Sequence, residues 1–537
     1  MAVLAQSAQV GALGGSVSEL LQWKDLLFFV DLALLLGITI YRWKWLDLQQ
    51  TMRTRLIAAT IPLLFGALLS YVLVTGYISQ NSNKVFVSNW WNVSVYNVVG
   101  LIGFHAFEVE RYVSEQVFGK EGPDEAQVAE VRTLFAEKQN SERVESEFFG
   151  LAEGKNVLVV QLEAFQNYVI GKKVNGSEIT PNINKLIAGD TLYFSQFHHQ
   201  VGQGRTSDAE FLVNNSLYPL PSGSVYVRHS ANEFDALPEI LKAKGYTTAA
   251  FHAYEKSFWN RQVMYKNLQF DTFYSIDDFK EGERVGWSLG DLSFFEQTVD
   301  YLEQKSQPFY AFTIALSSHH PYTKVPERYK TLQFGKYEGT ILADYLTSIH
   351  YVDVAVGELV NRLKASGLWD NTLVLMYGDH DSGIPMDAEM AKFVGEPGDE
   401  LNLLNMKNRV PLIIHIPGSN AKGTYAHTVG MVDMTPTMLH LLGIEGHSYY
   451  HLGRPIFDMQ NHLVIFRAGS ATDGQLYFKA SIDGVFNKGT CYRTDTRKKV
   501  AIDQCRALAG EADRHLKMSD RTLKFDLLRS LKRERDQ

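Results

Sequence analysis

Asn156-Val157-Leu158-Val159-Val160-Gln161-Leu162, followed at once by Glu163, is the stretch on which the fold turns. It is a short, valine-rich apolar run with Gly154 before it and a carboxylate after it. Such a run reads as a strand buried on both faces. Thr372-Leu373-Val374-Leu375-Met376-Tyr377 repeats the pattern and runs into Gly378-Asp379-His380-Asp381. Acids and a histidine at the carboxyl ends of buried strands stand where open α/β sheets place their ligands.

Between and beyond these runs, helical and strand patterns alternate. Leu237–Lys244 reads as helix, Thr247–His252 as strand, Phe309–Leu316 as strand, Tyr345–Ser366 as a long amphipathic helix, Val410–Ile416 as strand and Met434–Leu442 as helix. Alternation of this kind predicts an α/β fold, a mainly parallel sheet covered by helices on both faces. We place it over residues 151–470. Past Gly474, Gln475–Ala480 and Gly484–Phe486 read as short strands and helix resumes at Asp513, which predicts a small antiparallel subdomain over 471–537.

One more stretch bears on chemistry. In Gly202-Gln203-Gly204-Arg205-Thr206-Ser207-Asp208, two glycines and a cation precede a hydroxyl, and Ser207-Asp208-Ala209-Glu210-Phe211 opens a helix with acid in its first turn. Thr206 then sits where free backbone N–H groups can meet an anion. A turn of this type taken alone is common. Joined to Glu163, Asp379 and His380, it makes a donor set of oxygen and nitrogen suited to a divalent metal.

Leu162-Glu163-Ala164-Phe165-Gln166, the Gly202–Glu210 stretch, Phe258-Trp259-Asn260-Arg261 and Tyr377-Gly378-Asp379-His380 together resemble the lipoteichoic acid synthase family, in family order. That family belongs to the sulfatase-like branch of the alkaline phosphatase superfamily. The resemblance implies metal ligation by Glu163, Thr206, Asp379 and His380, with Mn2+ as the usual ion and Mg2+ or another divalent ion as a substitute. It implies Thr206 as nucleophile and substrate contacts from Trp259, Arg261, His319, His252 and Arg205. It also implies a small antiparallel C-terminal subdomain. Arg205 stands where many relatives carry lysine, which keeps the charge but replaces a point cation with a planar fork. Two further positions depart from many relatives: Tyr254 replaces an aspartate, and Asp381-Ser382 replaces Tyr-Gly.

The front of the chain differs from the rest. Leu26–Ile40 is apolar but for Asp31, and Leu56–Ile78 holds no charge and exceeds the ~20 residues that a bilayer span needs. We expect two transmembrane helices, at about 24–43 and 56–78, within a membrane region over 1–80. Arg42, Lys44, Arg53 and Arg55 lie between them against Asp47 alone, which puts that loop inside the cell and everything after Ile78 outside. The family typically has five spans, so these two resemble the last two of five. Residues 81–150 are expected to be juxtamembrane helices and a linker. Within them, Asn89-Trp90-Trp91-Asn92 to Phe107 suits an interface, and the charged stretch Glu121–Glu147 reads as a solvated helix. Ala126-Gln127-Val128-Ala129 is a weak small-x-small site, and no cleavage is expected there.

Composition excludes other classes. Over 537 residues, 21% are charged and the net charge is −8, so no nucleic-acid partner is expected. Cys491 and Cys505 are the only cysteines, too few for a thiolate metal site. In an oxidising exterior they can pair. We expect that they do, around the basic turn Arg497-Lys498-Lys499; the alternative is two free thiols.

These readings converge on a phosphoglycerol transferase at the cell membrane, multi-pass, with its catalytic domain outside. Its partners would be phosphatidylglycerol and a polyglycerolphosphate chain or glycolipid anchor, and a glycerophospho-threonine would form at Thr206. A phosphodiesterase or phosphoethanolamine transferase on the same fold is the first alternative. A catalytically inactive membrane sensor that binds glycerophosphate is the second.

Overall fold

The computed structural model describes residues 30–41, 51–80, 92–113, 122–140, 146–458 and 463–537. The chain divides into two compact units, an N-terminal helical one and a second over 121–537.

The first unit contains helices α1 (Val30–Tyr41), α2 (Met52–Gln80) and α3 (Asn92–Val113). The described side chains of α2 include Leu56, Ile61, Leu64, Phe65 and Leu68, all exposed. Helix α3 is kinked at Gly100, whose φ of 69° lies in the left-handed region. Among the described residues, no helix is long and apolar enough to cross a membrane. Residues 24–29 and 42–43 of the first expected span lie outside the described residues. So do the loop residues Arg42, Lys44 and Asp47, and Asn89-Trp90-Trp91 of the interfacial stretch.

The second unit opens with α4 (Glu125–Gln139), where the expectation of a solvated linker is corrected. Val131, Leu134 and Phe135 fall three and four residues apart, and this narrow apolar stripe is buried. The charges on the flanks of α4 pair with the C-terminal helices: Glu137 with Arg514 at 2.6 Å, and Arg132 with Glu534 at 2.6 Å.

The main sheet has eight strands: β1 (Asn156–Leu162), β2 (Leu192–Phe194), β3 (Thr247–His252), β4 (Thr272–Tyr274), β5 (Phe309–Ile314), β6 (Thr372–Gly378), β7 (Leu412–His415) and β8 (Gly423–Tyr425). Their order is β8-β2-β7-β6-β1-β5-β3-β4. The central and far strands β6, β1, β5, β3 and β4 are all parallel. Strand β7 runs antiparallel to β6 and β2. The chain leaves β6 and returns to β7 at the same edge, where the Gly378 N–H donates to the Pro411 carbonyl.

Burial follows the two-residue period of a strand. Val157 and Val159 of β1 pack into one core with α5 (Thr206–Asn215). Leu158 and Val160 pack into a second core with α6 (Asp291–Glu303) and α7 (Ile341–Ala365). Helix α8 (Met434–Leu441) joins the first core. Helices therefore cover both faces, as the sequence predicts.

The C-terminal sheet is antiparallel throughout: β9 (Val464–Ile465), β10 (Ala471–Thr472), β11 (Leu476–Lys479), β12 (Thr490–Arg493) and β13 (Lys499–Val500). It starts at Val464, before the expected residue 471, and packs on the main core through Phe478 and Cys491. Gly484–Phe486 is not a strand. The Asp483 carboxylate accepts from Ser481 Oγ and the Val485 N–H, and Gly484 takes φ 67°, which makes a turn. Helix α9 (Arg506–Lys524) begins seven residues before the expected Asp513, and α10 (Leu527–Arg535) follows it. Cys491 and Cys505 are disulfide-bonded with Cα atoms 5.8 Å apart, joining β12 to the turn before α9.

Candidate metal and nucleophile site

Three strand-end or helix-end positions meet at one edge of the sheet. Glu163 follows β1, Asp379 and His380 follow β6, and Thr206 is the first residue of α5. All four are buried. Thr206 Oγ1 lies 3.3 Å from Glu163 Oε2 and 3.3 Å from His380 Nε2. His380 Nε2 is 3.5 Å from Glu163 Oε1 and 3.4 Å from Asp379 Oδ2. Asp379 Oδ1 accepts the Ala164 N–H at 2.7 Å, while Oδ2 is buried without a partner.

These donor atoms fit a divalent ion. Glu163, Asp379 and His380 each bring one donor atom within 4.8 Å of the others, close enough to converge on one ion at metal–nitrogen and metal–oxygen bond lengths of about 2.1 Å. The unpartnered Asp379 Oδ2 is the atom that an ion would satisfy. Electrostatics agree. Burial pushes Glu163 up to about 7, against the pull of Arg205. Burial, then the charge of Glu163, pushes Asp379 well above the usual carboxylate range. Burial, then Arg205, holds His380 well below its ordinary value, so it is neutral and can ligate. Two buried carboxylates beside a neutral imidazole need a cation before both can ionise.

The turn that carries Thr206 is fastened from below. The Asp208 carboxylate accepts the N–H groups of Gly202 and Gly204, each at 2.9 Å. A Cβ on Gly204 would stand 2.2 Å from Asp208 Oδ1, so only glycine fits. Arg205 carries φ 46°, which turns its side chain toward β6. There Nη1 meets Asp381 Oδ2 at 3.0 Å, Nη2 donates to the Asp381 carbonyl at 2.7 Å, and Nη2 stands 3.2 Å from His380 Nδ1. Burial raises the Asp381 carboxyl, but Arg205 and His199 outweigh it and hold the group below the usual range. The charge that Asp381 adds beside the site is therefore paired.

The expected substrate contacts divide. His252 is buried, with Nδ1 3.0 Å from the Ile314 carbonyl; burial, then Arg261, keeps it neutral. His319 Nδ1 lies 2.7 Å from the His320 carbonyl. Arg261 is fully buried and mostly committed: Nε and Nη2 donate to Glu210 at 3.0 and 2.6 Å, leaving only Nη1 without a partner. Trp259 is half-buried with φ 55°, and its ring meets Phe258 edge-on.

Several residues escape the motif reading. Trp287 tilts over His319 with ring centroids 4.2 Å apart, and Tyr254 lies 6.1 Å from Trp287. Tyr254 thus joins an aromatic wall. The Asp291 carboxylate accepts the N–H groups of Leu316 and Ser317, at 2.9 and 3.1 Å, and fixes the turn that carries His319. His199 Nε2 stands 3.7 Å from Asp381 Oδ2. Trp287 and Asp291 are distant in sequence from every motif, so only the fold reveals them. His199 sits seven residues before Thr206, and its chemistry was the one available signal.

A sheet with helices on both faces, and a hydroxyl at a helix start beside two acids and a histidine, define an alkaline-phosphatase-like α/β fold with a candidate divalent-metal centre. A family model described as sulfatase matches residues 155–444, and one described as lipoteichoic acid synthase N-terminal domain matches residues 1–119. Lipoteichoic acid synthase 1 of Bacillus subtilis is 32% identical, covering 98% of this chain and 80% of that one. The lipoteichoic acid synthase of Staphylococcus aureus is 30% identical, with the same coverage. The crystal structure of the lipoteichoic acid synthase LtaP from Listeria monocytogenes superposes with a TM-score of 0.65 at 28% identity, over 74% of this chain and 97% of that one. The chain belongs to the lipoteichoic acid synthase family.

Proposed function

We propose that this chain is a membrane-anchored phosphoglycerol transferase that takes glycerol phosphate from phosphatidylglycerol and adds it to a polyglycerolphosphate chain or its lipid anchor. The observation that carries this reading is the placement of Thr206 Oγ1, 3.3 Å from both Glu163 and His380 at the start of α5. Lipoteichoic acid synthesis by the named relatives supports the substrate class. The N-terminal family match and the exposed apolar side chains of α2 support the anchor, with the catalytic unit outside the cell.

A divalent ion held by Glu163, Asp379, His380 and Thr206, with manganese suited to such ligands, would neutralise phosphodiester charge and lower the hydroxyl pKa. The Thr206 hydroxyl donates toward Glu163 Oε2, which leaves an oxygen lone pair free to face phosphorus. Thr206 Oγ bonds to phosphorus as the bond from phosphorus to the diacylglycerol oxygen breaks, and the Thr206 proton ends on that oxygen. In the second half, an acceptor hydroxyl bonds to phosphorus, Thr206 Oγ leaves and regains a proton. His319 Nε2 suits the relay of that proton, because Nδ1 is held at the His320 carbonyl. Arg205, held by Asp381, steadies the non-bridging phosphate oxygens.

The test is incubation of the full chain with labelled phosphatidylglycerol and manganese, with every product identified. Polymer or primed anchor plus diacylglycerol is expected, together with a glycerophosphate adduct on Thr206 by mass spectrometry. Thr206→Ala should abolish turnover and adduct. Free glycerol phosphate as the sole product would make the chain a hydrolase, and full activity of Thr206→Ala would remove the nucleophile assignment.

A further inference from the structure

Arg409 lies just before β7, and its guanidinium has no acidic partner. Its Nε donates to the Asn405 carbonyl at 3.2 Å, and its own carbonyl accepts the Asn167 N–H at 3.0 Å, so its backbone is fixed. Among the described residues no carboxylate lies within ion-pair distance of it. Burial pulls this guanidinium below its ordinary value, with Glu396 and Tyr193 opposing.

The side chain opens into a cavity of about 230 Å³ that Asn167, Tyr168, Lys172, Tyr193 and Glu396 also line. The Glu396 carboxylate is taken by Lys172 at 3.2 Å. The Tyr193 hydroxyl donates to Asn167 Oδ1 at 2.6 Å. The cavity therefore holds two cations against one carboxylate. Arg409 is half-buried, and a guanidinium without an ion-pair partner keeps its charge because it cannot lose its proton.

We propose that this cavity is a binding site for a small oxyanion, a phosphate ester or a carboxylate, held on the Arg409 guanidinium with Lys172 beside it. A planar fork with free N–H groups matches two oxygens of such an anion. The site is distinct from the nucleophile centre: none of Glu163, Thr206, Asp379 and His380 lines it. Gln166 stands between the two. Its Oε1 accepts from the Ser382 N–H at 3.0 Å, and its Nε2 donates to the Lys407 carbonyl at 3.0 Å. The inference does not depend on the transferase reading.

The test measures equilibrium binding of inorganic phosphate, glycerol phosphate and acetate to the full chain, with and without chelator. One saturable, chelator-resistant anion per chain is expected. Arg409→Gln should weaken it at least about tenfold, the loss of one charge-assisted contact. Lys172→Met should weaken it by a smaller factor, and Arg409→Lys should fall between wild type and Arg409→Gln. If Arg409→Gln does not fold, the Arg409→Lys and Lys172→Met variants carry the comparison. Phosphate-only binding assigns a phosphate ester, and binding of acetate as well assigns oxyanions in general. The proposal is overturned if chelated wild type binds none of the three saturably up to about 10 mM, the weak limit of a specific site. It is equally overturned if folded variants bind as wild type does.

Discussion

Arg205 and Asp381 clasp each other beside Thr206, with Nη1 3.0 Å from Oδ2 and Nη2 2.7 Å from the Asp381 carbonyl. The pair links the turn that presents Thr206 to the strand end that presents His380. The Asp381 side chain is 9% exposed and that of Arg205 40%, so the pair is only partly screened.

Asp381→Asn should therefore lower kcat by about tenfold, the worth of one charge-assisted hydrogen bond. KM should change less, because the substitution leaves the proposed ligands in place. In an Arg205→Lys background the same change should cost less, since lysine lacks the fork that Asp381 orients. Steady-state kinetics of the four proteins decide it: equal costs in both backgrounds would mean that the two residues act independently.

Arg261 and Glu210 form a pair buried at the centre of the unit, with side chains 1% and 0% exposed. Tyr265 also donates to Glu210. Arg261→Ala strands a buried carboxylate and should cost about 3–5 kcal/mol of stability. A loss of activity in that variant would then mix lost folding with lost substrate contact. Thermal melting of Arg261→Ala, Glu210→Gln and the double variant separates them. The double should be less destabilised than the sum of the singles.

The contrast between Glu163 and Arg261 shows what sequence can carry. Glu163, Asp379 and His380 are legible because each follows a strand whose apolar run declares it, and α/β sheets gather such ends at one edge. Thr206 is legible only with these three, because a glycine-rich turn before a helix is common by itself. Arg261 lay in a recognised motif, but its partner Glu210 sits 51 residues earlier, and no local pattern announces a buried pair across helices. Helix α4 was misread for a related reason. Its charge count suggested solvent, whereas three apolar residues on one stripe sufficed to dock it. Trp287 and Asp291 act through contacts that form only after the chain has folded.

The Cys491–Cys505 bridge staples β12 to the turn before α9. A loop of this length contributes roughly 3 kcal/mol by restricting the unfolded chain. Reduction, or Cys491→Ser with Cys505→Ser, should lower the melting temperature by several degrees. The kcat measured well below that temperature should stay unchanged. A drop in kcat at constant folded fraction would show that the small sheet reaches the site.

Stability should respond to pH differently with and without metal. In the chelated protein, Glu163 holds its proton up to about pH 7, and Asp379 is raised as well. The unfolded chain loses those protons near the ordinary carboxylate pKa of about 4. Between these limits the folded state binds more protons, so its stability falls as pH rises, on the order of 1 kcal/mol per pH unit for each proton held. A divalent ion takes the place of those protons, and its binding strengthens as pH rises through 7. The melting-temperature gap between manganese-loaded and chelated protein should therefore widen from pH 5 to pH 8. A gap that stays constant over that range would mean that Glu163 and Asp379 release no proton to the ion, and would remove them from the ligand set.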